Sequence, residues 1–179
     1  IRSDNGVPFA SMGLGGFSAL SVWWIKLGIV PERIKPGRPD QNGRHERMHR
    51  TLKAATLRPV KSDLRRQQEA FSDFRREFND ERPHEALEMQ TPGSHYSHSD
   101  REYPERLAEI VYGDEFEIRK VRHNGEIKWR GQCLYVSEAL CGEPVGLKEG
   151  DNHHWALYFS NYHIANLNEK TNRFEHPKV

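Results

Sequence analysis

Apolar residues recur at helical spacing in the first half of the chain and at every second position near its end. In FSALSVWWIKLGI, Phe17, Leu20, Trp23, Trp24 and Leu27 follow the helical period, and Gly28 supplies a stop. The preceding SMGLGG is loosened by glycine and reads as a loop. VPERIKPGRPD, with its prolines, reads as a short strand or an extended loop. Asn42 can cap a helix from about residue 43 to residue 57, which Pro59 ends. On that helix Met48, Leu52 and Ala55 face inward. Another helix is predicted over 63–78, with Leu64, Phe71, Phe74 and Phe78 as its buried stripe. Those phenylalanines read as core rather than as a stacking platform.

From about residue 94 to residue 105 the sequence turns polar, SHYSHSDREYPE, and reads as a linker. Beyond it the period becomes two. Phe116 and Ile118 alternate with charges, Asn124-Gly125 marks a hairpin turn, and Ile127 and Trp129 alternate again. Leu134 and Val136, then Trp155, Leu157 and Phe159, repeat the pattern, with a Gly150-Asp151-Asn152 turn between them. This predicts a small all-β module, a barrel of about five strands. The expected division is 1–96 for a first domain, 97–108 for the linker and 109–179 for the β module.

Composition narrows the class. Of 179 residues, 35% are hydrophobic and 30% charged, and four Trp with eight Phe can seed cores. No apolar run approaches the ~20 residues of a membrane span, and no signal-peptide pattern opens the chain, so a cytoplasmic protein without a membrane partner is expected. Cys133 and Cys141 lack metal-ligand spacing and are expected as free thiols. Adjacent strand residues such as His153-His154 point to opposite faces, which makes them poor co-ligands. The net charge of +1 hides an asymmetry: residues 1–60 hold ten Lys and Arg against four Asp and Glu, a balance of +6. Such a concentrated positive field suits a polyanionic partner.

The densest chemistry lies in GRPDQNGRHERMHRTLK, residues 37–53. At ~100° per residue, Glu46, His49, Arg50 and Lys53 share one helical face. One reading of that face is i,i+4 salt-bridge pairing, such as Glu46–Arg50. The other is a carboxylate that holds a hard divalent ion among phosphate-neutralising cations. This needs a second acid, because such ions take several oxygen ligands. Asp4 is available in a short polar turn after an apparent strand, IRS, where a rigid sheet can position a side chain.

These residues resemble a known family. SDNG, an apolar-aromatic helix and then PGRPDQNGRHERMHRTLK are similar to the catalytic core of integrase-type DDE transposases of bacterial insertion sequences, a core shared with retroviral integrases. Pro39, Asn42, Gly43, Glu46 and Arg47 match the family's Pro-x-x-Asn-Gly-x-x-Glu-Arg in register. A third block, FNDERPHEALEMQTPGSHY, matches at Phe78, Asn79, Arg82, Pro83, His84, Ala86, Leu87, Thr91, Pro92 and Tyr96.

The resemblance implies an α/β fold: an incomplete ribonuclease-H-like core followed by a small all-β (SH3-like) barrel. It implies metal-dependent DNA strand cleavage and strand transfer. Asp4 and Glu46 become the second and third of three acids that hold two Mg²⁺ or Mn²⁺ ions. Lys35, Arg38, Arg44, His49, Arg50 and Lys53 are then the expected DNA-binding side chains. The implied partners are double-stranded DNA (element ends and target) and further copies of the parent enzyme, which is expected to associate with the nucleoid. Two departures are visible. Between Asp4 and Glu46 lie 41 residues, longer than is usual in the family, with the surplus expected in the SMGLGG loop. The family's first acid precedes Asp4, so the chain is expected to be the C-terminal part of a longer transposase. The alternative is a catalytically inactive remnant that binds DNA or the full-length protein.

Overall fold

The computed structural model describes residues 1–151, 154–175 and 177. Asn152 of the expected turn and His153 of the adjacent pair lie outside the described residues. The chain divides into two compact units, one of residues 1–38 with 104–179, the other of 39–103. The boundaries read from the sequence follow composition; these units follow contact.

In the first unit, β1 (Arg2–Ser3) pairs in parallel with β2 (Glu32–Arg33). Between them runs α1 (Ala19–Lys26), opened by a capping box in which Ser18 and Ser21 exchange side-chain-to-backbone hydrogen bonds. The buried face of α1 is Ser21, Val22, Trp24 and Ile25. Trp23, expected in the buried stripe, is instead 38% exposed. The reason is the partner: Phe17, Val22 and Ile25 join one apolar cluster with Ile127, Trp129, Leu140, Leu157 and Phe159 of the β module. Lys26 Nζ donates to Glu143 Oε1 at 2.6 Å beside this contact.

Among the described residues the module has seven strands: β3 (Phe116–Lys120), β4 (Glu126–Trp129), β5 (Gln132–Tyr135), β6 (Pro144–Glu149), β7 (His154–Phe159), β8 (Tyr162–Asn168) and β9 (Arg173–Glu175). β3-β6-β7-β8-β9 form one antiparallel sheet, and β4-β5 a separate hairpin. The expected closed five-stranded barrel is therefore corrected to an open sheet with a hairpin; among the described residues no pairing joins β9 to β3. Alternation marked the burial of Trp155, Leu157 and Phe159, which all point inward, but Ile118 on β3 is 50% exposed. The turn at Asn124-Gly125 forms, with Gly125 at φ +77° and its N–H donating to Arg122 O at 2.9 Å. It does not open a ladder between β3 and β4, because β3 pairs with β6. The hairpin sits one turn later, where Arg130 (φ +44°) and Gly131 (φ +87°) join β4 to β5 in the two-residue geometry that matches strand twist.

The second unit is helical. α2 (Gly43–Thr56) follows a 3₁₀ turn, and α3 (Leu64–Arg76) begins at Asp63, whose side chain accepts from Arg66 N–H at 2.9 Å. Gln67 holds the connection: its Nε2 donates to Thr56 O and its Oε1 accepts from Lys61 N–H. Among the described residues of this unit only Thr56 is buried. Met48, Leu52, Phe71, Phe74 and Phe78 are half-buried and line a groove of about 480 Å³. Two residues of the expected stripes are exposed instead. Leu64 lies one turn before Gln67, the level at which α3 meets the end of α2, and Ala55 is off the Met48-Leu52-Thr56 line. A π turn over Glu77–Glu81 ends the helix, and His84 closes the segment that follows, its ring edge-on to Phe78 at 4.7 Å. No helix among the described residues is long and apolar enough to cross a membrane.

Candidate catalytic and phosphate-binding site

Asp4 stands where β1 ends, in the first unit, with an exposed side chain. The parallel pairing with β2 fixes its backbone: Glu32 N–H donates to Ile1 O and Ile34 N–H to Ser3 O. Asp4 Oδ1 accepts from Gly6 N–H at 2.9 Å, the Asx turn that an Asp-x-Gly sequence favours. Asn5 Nδ2 donates to Ile34 O at 2.9 Å and ties the turn to the chain after β2. One carboxylate oxygen is thus committed to the turn, while the other has no partner among the described residues.

Lys35 and Arg38 lie exposed in the turn after β2, closed by Arg38 N–H donating to Lys35 O at 3.1 Å. They belong with Asp4 to the first unit, whereas Arg44, Glu46, His49, Arg50 and Lys53 belong to the second.

Glu46 sits in the first turn of α2, exposed. His45, Glu46, His49, Arg50, Lys53, Ala54 and Arg58 line one depression of about 510 Å³. The helix brings Glu46, His49, Arg50 and Lys53 together as their spacing predicted; Arg44 is exposed on α2 but does not line the depression. His45 and Arg58 were not foreseen. His45 is legible as the i−4 neighbour of His49. Arg58 follows the helix, beyond the reach of helical spacing.

The salt-bridge reading of this face is not what forms. Among the described residues Glu46 takes part in no ion pair, although Arg65 and Glu69 on α3 do pair at i,i+4, at 3.2 Å. A carboxylate that shares a depression with basic side chains and pairs with none of them is open to a cation of its own, while those side chains remain open to an anion. A carboxylate oxygen is the donor type that Mg²⁺ takes, so the chemistry of Asp4 and Glu46 fits a hard ion. Neither unit assembles a full ligand set: among the described residues no three His, Cys, Asp or Glu side chains are grouped to hold a metal. Cys133 and Cys141 are free and exposed, as their spacing suggested.

Residues 27–92 match the family described as integrase core domain. Residues 116–174 match the C-terminal domain of IS481 family transposases. The first match contains Glu46 and every residue of the depression, and Asp4 precedes it. The second covers β3 through part of β9, which carried no motif legible by residue spacing.

Proposed function

Because the chain belongs to the integrase-core transposases of insertion sequences, we propose that it supplies catalytic and DNA-binding residues for metal-dependent DNA strand cleavage and strand transfer. The observation that carries this reading is Glu46, free of any ion pair among the described residues, in a depression edged by His49, Arg50, Lys53 and Arg58. Asp4 and Glu46 would hold Mg²⁺ or Mn²⁺ through carboxylate oxygens. When bound, such ions neutralise the attacking and leaving oxygens of an in-line displacement at phosphorus.

The rest falls to side chains. Arg50, Lys53 and Arg58 neutralise phosphate oxygens of the duplex, and His49 donates to one, which fixes the backbone without reading its sequence. The Asx turn at Asp4 keeps one carboxylate oxygen oriented before substrate arrives. Double-stranded DNA, as element end and as target, is the substrate.

Two measurements test this. In duplex binding over a salt series, Arg50→Ala and Lys53→Ala should each flatten the plot of log affinity against log salt by about one unit, with little dependence on sequence. Sequence-selective binding with a flat salt response would overturn the DNA-binding assignment. In strand transfer, the resemblance assigns Asp4 and Glu46 as two of the family's three acids. The assay therefore compares the 179-residue chain with one extended upstream of Ile1. The extended chain should act and lose roughly 10²-fold or more on Asp4→Asn or Glu46→Gln. Activity that survives Glu46→Gln would show the catalytic assignment to be wrong.

A further inference from the structure

Around Glu46 the sequence reads His45-Glu46-Arg47-Met48-His49, which sets two histidines four residues apart on α2. That spacing stacks side chains on one helical face, one turn apart. The rings do meet, with centroids 4.2 Å apart and planes inclined by 51°. Both imidazoles are exposed and line the same depression, and among the described residues neither has a hydrogen bond or ion pair.

Their ring nitrogens are thus uncommitted and need no backbone movement to approach one another. A divalent transition ion binds imidazole nitrogen at about 2.0–2.1 Å, so two ligands on one ion stand only about 3 Å apart. Rotation about the side-chain torsions brings rings already in contact to that separation.

We propose that His45 and His49 form a bis-imidazole site for a borderline divalent transition ion: Zn²⁺, Ni²⁺ or Cu²⁺. Its donor chemistry differs from that of the carboxylate site proposed above, because imidazole suits these ions whereas Mg²⁺ takes oxygen. The site has two protein ligands. No third His, Cys, Asp or Glu among the described residues is grouped with them, so water completes the coordination. That makes it an open, exchangeable site rather than a structural one. It also separates this segment from hydrolytic zinc helices of the same His-Glu-x-x-His spacing, which need a third protein ligand. Arg50, Lys53 and Arg58 on the rim oppose a dication and Glu46 offsets part of that charge, which places the affinity below that of four-ligand zinc sites.

Isothermal titration of the tag-free chain with NiCl₂, and separately with ZnCl₂, in excess MgCl₂, tests the site. One equivalent should bind per chain. His45→Ala and His49→Ala should each weaken that binding by roughly tenfold or more, the double variant should be little worse than either, and His45→Gln should reproduce the loss. Glu46→Gln, which removes an exposed charge but no ligand, should weaken it by less than about fivefold, whatever it does to strand transfer. Binding unchanged in the histidine variants, or abolished by MgCl₂, would overturn the proposal.

Discussion

The hydroxyl of Tyr112 meets three backbone groups: it lies 3.1 Å from Pro144 O and 3.2 Å from Tyr158 O as donor, and accepts from Ser160 N–H at 3.0 Å. It thereby joins β6, β7 and the turn after β7. Burial pushes its pKa up to about 12, against the amides of Ser160 and Gly146, which favour the phenolate. The unfolded chain ionises near pH 10. A raised folded-state pKa means that the contribution is whole below about pH 10 and fades as pH climbs toward about 12. Tyr112→Phe should cost about 1–2 kcal/mol at neutral pH, since it leaves Ser160 N–H unpaired. The gap between the two proteins should narrow from pH 9 to pH 11.5 in urea unfolding, and a constant gap would contradict this role. Nothing in the sequence marked Tyr112, because its partners lie more than thirty residues away. Glu46, His49, Arg50 and Lys53 were legible because one helix brings them together, and helical spacing is a local property. Asp4 was legible by motif, and its turn formed as the Asp-Asn-Gly sequence suggests.

At the scale of elements, local signals located the segments and distant partners decided their faces. α1 has eight residues, too short to be stable alone in water, so its cap and its packing carry it. Ser21 N–H donates to Ser18 Oγ at 3.2 Å and Ser18 N–H to Ser21 Oγ at 2.8 Å. Ser18→Ala should destabilise the unit by about 1 kcal/mol, and Ser18→Gly by only a few tenths, read as a fall in melting temperature. Equal losses in both would assign the serine a role other than capping. The stop at Gly28 was legible, with φ at +71°. The buried face was legible in part: Phe17, Trp24 and Leu27 are buried as the pattern favoured, but Leu20 is half-buried and Trp23 exposed, while Val22 and Ile25 join an apolar cluster with residues about a hundred positions later. The β module shows the same limit. Period-two alternation found Ile127, Trp129 and Trp155, but which strands pair depends on long-range closure that alternation does not encode.

At the scale of the whole molecule, burial is uneven. The unit of residues 1–38 and 104–179 encloses a contiguous cluster in which Ile127, Val136, Leu140, Val145, Leu147, Leu157, Phe159, Ala165 and Leu167 are all at 0% exposure. In the unit of 39–103 Thr56 alone is buried among the described residues, and its apolar stripe is only half covered. Resistance to opening follows buried apolar contact, so the two units should open at different free energies. In native-state hydrogen exchange, amides of β6, β7 and β8 should be the most protected, and those of α2 and α3 should exchange several orders of magnitude faster. Limited proteolysis should cut first within 39–103, at arginines such as Arg65 and Arg75, which are exposed on α3. The helix that carries Glu46 would then be the part of the chain most stabilised by what binds it, because a ligand specific to the folded form adds stability in proportion to the logarithm of its excess over Kd. Duplex DNA should therefore slow exchange across α2 more than across β7. Protection of α2 equal to that of β7 without DNA would show that the helical unit is held by more than its own contacts. Uniform slowing across both units would mean that DNA does not bind through the depression.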